Sequence, residues 1–343
     1  MKIKTKVQTP KLIVILVLFL IASGSLWADG DERSNPYAHL AGTETRLLSG
    51  NIDIWSCDWA PSGKAIVYSG KMQGEPASKM HIWYWSLDPA AQPTLLTGTS
   101  GIIDFSPRWS PDGKRIAMTR RAFGTNTKDL NSAIWIKEYP GGAGKQLTNG
   151  GQDREPSWAP DGQRIVFSRG KGPYNAQLMI VDLKSSSVTM LTGTDADLLN
   201  SPCWGVDNKI YYTKMNPVPK IVAVAGTTAQ VMDFGRGSIW AIDPDTNENE
   251  PVIVDEFDNR LPALSPDGTK LAFVSSRNNS KDGNGKYDRG SLYIKDLATG
   301  EIHYVTNKVS LNGGSVSWSP DGKRLAFFTF RSIRPAVWVI NIP

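Results

Sequence analysis

The chain has 343 residues, of which 40% are hydrophobic and 21% are charged, with 32 Gly, 22 Pro, 12 Trp and only 2 Cys. This composition excludes a collagen, a disordered tail and a small disulfide-stapled protein. The length fits either two ordinary domains or one large all-β ring, and the high Gly, Pro and Trp counts favour the ring. The formal net charge is +5, which raises the question of an anionic partner.

Residues 1–28 have the features of a secretory signal peptide. Four lysines precede an uninterrupted apolar run over residues 12–22, which small and neutral residues follow. Eleven apolar residues would rise only about 16 Å as a helix, against a hydrocarbon core of about 30 Å, so no permanent membrane span is expected. Cleavage is expected after Ala28, with cleavage after Gly24 as the alternative.

Setting this segment aside changes the charge argument. Residues 1–28 contain four Lys and no acidic residue, so residues 29–343 carry 34 basic against 33 acidic side chains. A net charge of +1 gives no electrostatic basis for a nucleic-acid partner. The sequence therefore predicts a periplasmic or secreted protein in which residues 29–44 form a leader before the first strand.

A repeated turn motif organises the chain after residue 45. An extended stretch ends on Trp or Leu, a Pro- and Gly-containing turn reverses the chain, and an alternating run returns as a second strand. Consecutive copies are 46 to 60 residues apart, which is the period of a propeller blade. The copies begin at Trp59, Trp109, Trp158, Trp204 (a degenerate copy), Leu264 and Trp318.

Each copy continues into a third strand rich in β-branched and aromatic residues, and most copies add a short outer strand. The last copy lacks an outer strand before Pro343, and residues 45–50 (TRLLSG) look like the outer strands of the other copies. We therefore predict an all-β, six-bladed β-propeller over residues 45–343, closed by pairing of the N-terminal strand with the last blade. Such closure removes an open sheet edge.

These Trp-Ser-Pro-Asp-Gly-Lys repeats resemble those of the TolB-like β-propeller family over roughly residues 45–343. The resemblance implies a six-bladed ring and a role in an envelope-associated system similar to the periplasmic Tol-Pal system. TolB itself carries a separate α/β domain before its propeller, whereas only residues 29–44 precede the first predicted strand here. The blades also resemble the propellers of oligogalacturonate lyases and of prolyl oligopeptidases.

The Cys and His residues are too scattered to form a disulfide or a metal site. Cys57 and Cys203 fall in opposite blades of a six-bladed ring, and a disulfide needs Cα atoms within about 7 Å, so both are predicted to be free thiols. His39, His81 and His303 are too few for a shared zinc site. This weighs against the lyases, for which the resemblance implies a His cluster at a central metal. No G-x-S-x-G nucleophile elbow occurs in the sequence.

The loops before the inner strands are expected to surround one mouth of the central channel. Reading back four to six residues from each motif residue finds an Asp or Asn in every copy. With neighbouring Arg and Trp side chains, these form the predicted partner-binding set: Asp53, Trp55, Asp104, Asp153, Arg154, Asn200, Asn259, Arg260 and Asn312. Trp55 is singled out because it is predicted to lie in a loop, whereas the motif Trp residues are expected to fill the wedges between blades. The alternative is that the Asp and Asn side chains cap these loops by bonding backbone N–H groups.

No cofactor is predicted, and calcium is the alternative. Opposed carboxylates of the channel mouth could hold a hard cation, although a ring spreads them widely for ligation at about 2.3–2.6 Å. The fifth copy contains Asp282, Asn284 and Asp288 with calcium-loop alternation, but the bidentate Glu of such loops is missing. Residues 216–237 form an insertion that is predicted to be an extra hairpin or a flexible lobe.

The sequence predicts a monomeric, exported, non-catalytic propeller that binds a protein or peptide at its channel mouth, in an envelope-associated system resembling Tol-Pal. The alternative is a propeller-type polysaccharide lyase or glycan hydrolase that acts through channel carboxylates. Paired carboxylates with a raised pKa in a deep pocket would favour the enzyme. A wet ring of Asp and Asn would favour binding.

Overall fold

The computed structural model describes residues 45–46, 52–88, 90–123, 131–172, 175–194, 196–224, 227–277, 290–309, 314–329 and 336–342. The predicted signal peptide, the leader, the calcium-like loop and Asn312 lie outside these residues. The regular structure in the described part is β-strand, apart from one short 3₁₀ helix at Ala77–Lys79. Within this part, no helix has the length and apolar character needed to cross a membrane.

Antiparallel pairing arranges most of the described strands in sets of four, which we name groups 1 to 6. Group 1 contains β2 (Ile52–Trp59), β3 (Ala65–Met72), β4 (His81–Ser86) and β5 (Thr94–Leu95). Group 2 contains β6 (Ile102–Trp109), β7 (Arg115–Ala122), β8 (Ser132–Glu138) and β9 (Gly144–Gln146). Group 3 contains β10 (Gln152–Trp158), β11 (Arg164–Gly172), β12 (Asn175–Asp182) and β13 (Val188–Thr192).

The remaining groups follow the same order. Group 4 contains β14 (Leu198–Trp204), β15 (Ile210–Met215), β18 (Ser238–Ile242) and β19 (Asn249–Ile253). Group 5 contains β20 (Asn259–Leu264), β21 (Lys270–Ser275), β22 (Gly290–Asp296) and β23 (Ile302–Val309). Group 6 contains β24 (Val316–Trp318), β25 (Arg324–Thr329), β26 (Ala336–Asn341) and, from the other end of the chain, β1 (Thr45–Arg46).

The N-terminal strand β1 pairs with β26, with Thr45 opposite Val339 and Arg46 opposite Trp338. One-residue parallel bridges join groups 2, 3 and 4 into a twelve-stranded sheet, whereas groups 1, 5 and 6 are separate four-stranded sheets. Strand pairing among the described residues therefore does not produce a closed sheet.

The motif turns form the predicted hairpins between the first two strands of each group. In group 2 the Gly113 N–H donates to Ser110 O at 2.9 Å, and Gly113 has a φ of +68°, which glycine adopts without a steric penalty. The Ser110 hydroxyl donates to Asp112 at 2.6 Å, and the Lys114 N–H donates to the same oxygen. The equivalent bond from Ser265, together with two bonds from Thr269, lowers the pKa of Asp267 to about 2. These local bonds explain why the turn can be read from sequence.

The hydrophobic core lies between neighbouring groups. Val67 and Ile82 of group 1, for example, share a cluster with Trp109 and Ile116 of group 2. Equivalent clusters join groups 2 and 3, 3 and 4, 4 and 5, and 5 and 6. A further cluster packs Tyr68 of group 1 with residues of group 6. Each group therefore depends on its neighbours for burial, as expected for repeats that cannot bury an apolar face alone.

The insertion in group 4 forms the predicted hairpin. Strands β16 (Val218–Val224) and β17 (Thr227–Asp233) pair antiparallel, with Val218 opposite Asp233. They make a two-stranded sheet that pairs with no other described strand.

Candidate functional site

A β-bulge interrupts the first, inner strand of groups 1 to 5 just before the motif residue. In groups 2 to 5 one residue of each bulge has left-handed backbone, with φ between +51° and +57°. These residues are Ser106, Glu155, Ser201 and Leu261. A bulge bends its strand and redirects the following side chains. Here the bulge residue and the residue two positions later both line one cavity.

The cavity has a volume of about 360 Å³ and receives residues from all the inner strands. It also contacts the motif turns, through Pro111, Pro160, Val206 and Pro266. It therefore lies where the inner strands end. The predicted channel-mouth residues belong to the opposite end, where those strands begin.

The residue immediately before each motif residue lines this cavity, and we call these six residues the joint residues. Four of them accept, with their side chain, the backbone N–H of the next group's motif residue. Trp109 N donates to Asp58 at 2.8 Å and Trp204 N donates to Ser157 at 2.9 Å. The other two bonds run from Leu264 N to Cys203 Sγ at 3.4 Å and from Trp59 N to Ser317 at 3.2 Å. The joint residues are Asp58, Arg108, Ser157, Cys203, Ala263 and Ser317.

The two remaining joint residues, Arg108 and Ala263, have no acceptor in their side chains. There the indole Nε1 of the next motif Trp donates to the backbone carbonyl instead. Trp158 bonds Arg108 O at 3.1 Å, and Trp318 bonds Ala263 O at 2.9 Å. Successive groups are thus joined from group 1 to group 6, and the bond from Trp59 to Ser317 joins group 6 back to group 1.

Arginine side chains from the strand that follows each motif turn pack over the rings of three motif Trp residues. Arg115 lies 4.8 Å from the ring of Trp158, and Arg164 lies 4.9 Å from that of Trp204. Arg324 lies 4.6 Å from the Trp59 ring. In each case a motif Arg packs on the Trp of the next group, and the five motif Trp residues are only 4–7% exposed. These rings fill the wedges between groups, as predicted.

The two carboxylates of the cavity are both hydrogen-bonded to the protein. Asp58 accepts from Trp109 N through one oxygen and from the Ser317 hydroxyl through the other, both at 2.8 Å. Glu155 accepts from Ser201 N at 2.6 Å. Burial raises the pKa of Asp58, and the nearby Arg108 guanidinium together with the donated hydrogen bonds opposes that rise.

This raised pKa predicts a pH dependence that an Asp58→Asn variant should lack. Unfolded Asp58 ionises near 3.8 and the folded carboxyl ionises at higher pH, so wild-type stability falls as the pH rises between these two values. The asparagine cannot ionise. We therefore expect the stability of the variant, relative to wild type, to increase with pH over this window and then level off.

Urea unfolding of both proteins between about pH 3 and 7 measures this difference. Asp112→Asn is the control, because hydrogen bonding from Ser110 lowers the pKa of Asp112. That variant should lose stability relative to wild type as the pH rises. A difference for Asp58→Asn that does not change with pH would contradict our account of this carboxyl group.

Both cysteines are free thiols, but only Cys203 lines the cavity. Burial raises the pKa of each thiol, to about 12 for Cys57. Within the part of the chain that the structure describes, no cluster of three or more His, Cys, Asp or Glu side chains could hold a metal ion.

The described members of the predicted channel-mouth set lie within the inner strands, not in the loops before them. Asp104 and Asp153 are 0% exposed, and each forms a two-bond ion pair with the arginine directly opposite on the second strand. Arg120 contacts Asp104 at 2.6 and 3.1 Å, and Arg169 contacts Asp153 at 2.6 and 2.9 Å. These carboxylates stabilise their own group and do not line the cavity.

The carboxylate at the equivalent position in group 1 is less enclosed, with 16% of its side chain exposed. Asp53 pairs with Lys71, opposite it on β3, at 3.2 Å. The Lys71 ammonium also lies 5.7 Å from the ring of Trp55. The prediction that Trp55 lies in a loop was wrong, because it belongs to β2, where it is the extra residue of the bulge in that strand.

The other predicted residues have different partners. Arg154 donates to Asn200 of the next group at 3.1 Å, so the structure brings these two together. Asn259 is buried, donates to Asp255 and accepts from Arg277, while Arg260 forms a two-bond ion pair with Asp258. None of the described members of the predicted set lines the cavity. Their role in partner binding stays a prediction.

Sequence reasoning missed the charged residues of the cavity, Asp58, Arg108 and Glu155. One signal was present. The position before the motif residue carries Asp, Arg, Ser, Cys, Ala and Ser in turn, although the turn that follows it is repeated almost unchanged. Chemical variety beside a repeated structural motif is what a binding surface on a repeat scaffold would show.

A family model described as the TolB beta propeller domain matches residues 37–209, half of the chain. The chain belongs to the TolB β-propeller family. The Tol-Pal system protein TolB of Alcanivorax borkumensis is 37% identical over 78 residues, which are 23% of this chain and 14% of that protein. The matched segments span between 11% and 20% of the length of the curated relatives.

Solved structures agree on the fold. TolB from Acinetobacter baumannii superposes with a TM-score of 0.58 at 20% identity, covering 86% of this chain and 64% of that one. Oligogalacturonate lyase from Vibrio parahaemolyticus superposes with a TM-score of 0.53 at 14% identity, covering 88% of this chain and 96% of that one. At these identities the likeness shows an all-β propeller fold and nothing about activity.

Proposed function

We propose that the chain is an exported, non-catalytic propeller that binds an extended segment of a partner protein, in a periplasmic system resembling Tol-Pal. The observation that carries this proposal is the cavity at the turn end of the inner strands. Its size suits side chains of a bound segment, and its wall combines Ser, Pro and Trp groups with one Arg and two carboxylates. The similarity to Tol-Pal proteins supports this class of partner.

We also propose that groups 1 to 6 are the six blades of a closed, monomeric ring. The cluster shared by groups 6 and 1 supports closure, as do the bond from Trp59 to Ser317 and the pairing of β1 with β26. In this arrangement the N-terminal strand covers the edge of β26 that is opposite β25.

Deleting residues 29–50 from the exported chain tests closure by the N-terminal strand. We expect the melting temperature to fall, because the deletion removes the backbone bonds between β1 and β26, each worth roughly 1 kcal/mol, and exposes the β26 edge. Deleting residues 29–40 is the control, since it leaves Thr45 and Arg46 in place. An unchanged melting temperature after the longer deletion would contradict this mode of closure.

A blocking variant tests whether the cavity binds the partner. Val206 lines the cavity and is 56% exposed, so Val206→Trp should obstruct the opening without disturbing the core. Val254 is 58% exposed, lies outside the cavity lining and gives the matched control Val254→Trp. After crosslinking in envelope extract, we expect Val206→Trp to recover at least tenfold less partner than wild type or Val254→Trp.

The predicted channel mouth is tested in the same experiment. Asp53→Asn and Asn200→Ala change that end and leave the ion pairs of Asp104 with Arg120 and of Asp153 with Arg169 in place. Loss of partner with these variants, and not with Val206→Trp, would move the binding site to the channel mouth. Equal recovery with all variants would contradict a channel site.

A glycan lyase or hydrolase is the second candidate, because Asp58 combines a raised pKa with a place in the cavity wall. Against it, both oxygens of Asp58 accept hydrogen bonds from residues that hold neighbouring groups together. Incubation with oligogalacturonate separates the candidates, because a lyase gives an unsaturated product that absorbs in the ultraviolet and a hydrolase gives new reducing ends. Activity that is lost in Asp58→Asn and Glu155→Gln would establish the enzyme.

A further inference from the structure

Arg108 is the only basic side chain among the described residues that line the cavity. It lies at a joint position, where Asp58, Ser157, Cys203 and Ser317 use their side chains to hold the next group. The Arg108 side chain does not bond the next group, because Trp158 of that group donates to the Arg108 backbone carbonyl. The same backbone bond occurs at Ala263, so this joint forms without any side chain beyond Cβ.

The guanidinium of Arg108 is incompletely used within the described part of the protein. Its Nη1 donates to the carbonyls of Pro107 at 3.0 Å and of Cys57 at 3.5 Å. Nε and Nη2 have no partner among the described residues, and no described carboxylate forms an ion pair with Arg108. Neither Nε nor Nη2 is among the buried, unpartnered side-chain atoms of the described residues, so both donors keep accessible surface and can meet the acceptors of a ligand in the cavity.

Building on the binding role proposed above, we infer that Arg108 binds a carboxylate of the partner segment, supplied by an Asp or Glu side chain, through Nε and Nη2. A planar carboxylate matches this pair of donors with two parallel hydrogen bonds. The neighbouring Asp58 does not fill this role, because both of its oxygens accept from Trp109 and Ser317.

The charge of the cavity selects the class of anion. Asp58 and Glu155 line the same wall, so a doubly charged phosphate would meet stronger repulsion than a singly charged carboxylate. The prolines and indole edges of the wall suit the apolar parts of a peptide segment beside the acidic residue. The expected ligand is an extended peptide with one acidic side chain at its centre.

A double-mutant cycle tests this contact. The exported chain is first incubated with an array of random twelve-residue peptides, and the tightest acidic peptide is synthesised together with a twin in which Glu is replaced by Gln, or Asp by Asn. Dissociation constants for both peptides are measured by calorimetry with wild type, Arg108→Ala and the control Arg121→Ala. Arg121 is a half-buried arginine of β7 outside the cavity lining.

We expect the amide twin to bind wild type and Arg121→Ala about 10- to 100-fold more weakly than the acidic peptide. Arg108→Ala should bind both peptides equally, and a cooperative melting transition should show that it still folds, because the Ala263 joint forms without such a side chain. Arg108→Lys should recover only part of the difference, since an ammonium lacks the two-donor fork.

Other outcomes overturn the inference in distinguishable ways. Peptides that bind wild type with no preference for an acidic residue, or with a preference that Arg108→Ala retains, would refute the Arg108 contact and leave the binding function standing. An array with no bound peptide would count against the binding function and the contact together. Displacement of the acidic peptide by inorganic phosphate, or tighter Arg108-dependent binding of trigalacturonate, would reassign the ligand to a phosphate or a uronic acid.

Discussion

Replacing Asp153 with alanine is expected to lower the free energy of unfolding by about 3–5 kcal/mol. The Asp153 side chain is fully buried, and its two oxygens accept from Nε and Nη2 of Arg169, whose own side chain is only 18% exposed. The substitution leaves this guanidinium enclosed without a counter-charge. Removing one partner of a buried pair costs far more than the net value of the pair. Urea unfolding measures the effect.

Two controls show whether the buried charge causes this loss. Asp53→Ala removes the equivalent carboxylate of group 1, which is 16% exposed and makes a single contact with Lys71 at 3.2 Å, so we expect a smaller loss of about 1 kcal/mol. The double variant Asp153→Ala/Arg169→Leu should recover part of the single variant's loss. If the double variant is less stable than Asp153→Ala, an unpaired arginine is not the cause.

Trp158→Ala is also expected to lower the free energy of unfolding by about 3–5 kcal/mol, because it removes a large buried side chain. Its indole packs between groups 2 and 3 with Ile134, Phe167 and Val181, so truncation leaves a cavity between these two groups. The variant also loses the bond from Nε1 to Arg108 O and the contact with the Arg115 guanidinium.

Two milder variants divide this effect. Trp158→Phe keeps an aromatic ring in the wedge but removes the donor to Arg108 O, which should cost roughly 1–2 kcal/mol. Trp240→Ala removes a half-buried indole that is only partly packed against the core of groups 3 and 4, and should cost less than Trp158→Ala. Equal losses for the two alanine variants would contradict the view that the motif Trp residues are the main wedge between blades.

The hairpins and third strands could be predicted from the sequence because they depend on turn residues and strand patterns that are close together in the chain. The turn after Trp109 is closed by bonds among residues 110 to 115. Both faces of β7 meet neighbouring groups, since Ile116 and Met118 pack with group 1 and Ala117 packs with group 3. The insertion in group 4 was likewise predicted as a hairpin and is β16 and β17. Its pairing is between residues close together in the chain.

The residues of the candidate site could not be predicted from the sequence in the same way. Asp104 and Asp153 were predicted to face a partner at the channel mouth, yet each lies opposite an arginine 16 residues later in the chain. A bulge separates these residues from the motif Trp, and an extra residue in one strand shifts every cross-strand neighbour beyond it. Counting back from the motif therefore locates the strand but not the partner of each side chain.

The cavity depends on contacts between residues far apart in the sequence. Asp58 is hydrogen-bonded to Trp109 and to Ser317, which lie 51 and 259 residues away in the sequence. Both partners belong to other copies of the repeat, so the sequence of one copy does not reveal these contacts. The sequence alone determined the repeat, the strand order, the motif turns and membership of an all-β family, because these depend on short-range periodicity and turn chemistry. Only the tertiary structure decided which residues of the inner strands line the cavity and that Arg108 keeps unused donors there, because both depend on how neighbouring groups pack together.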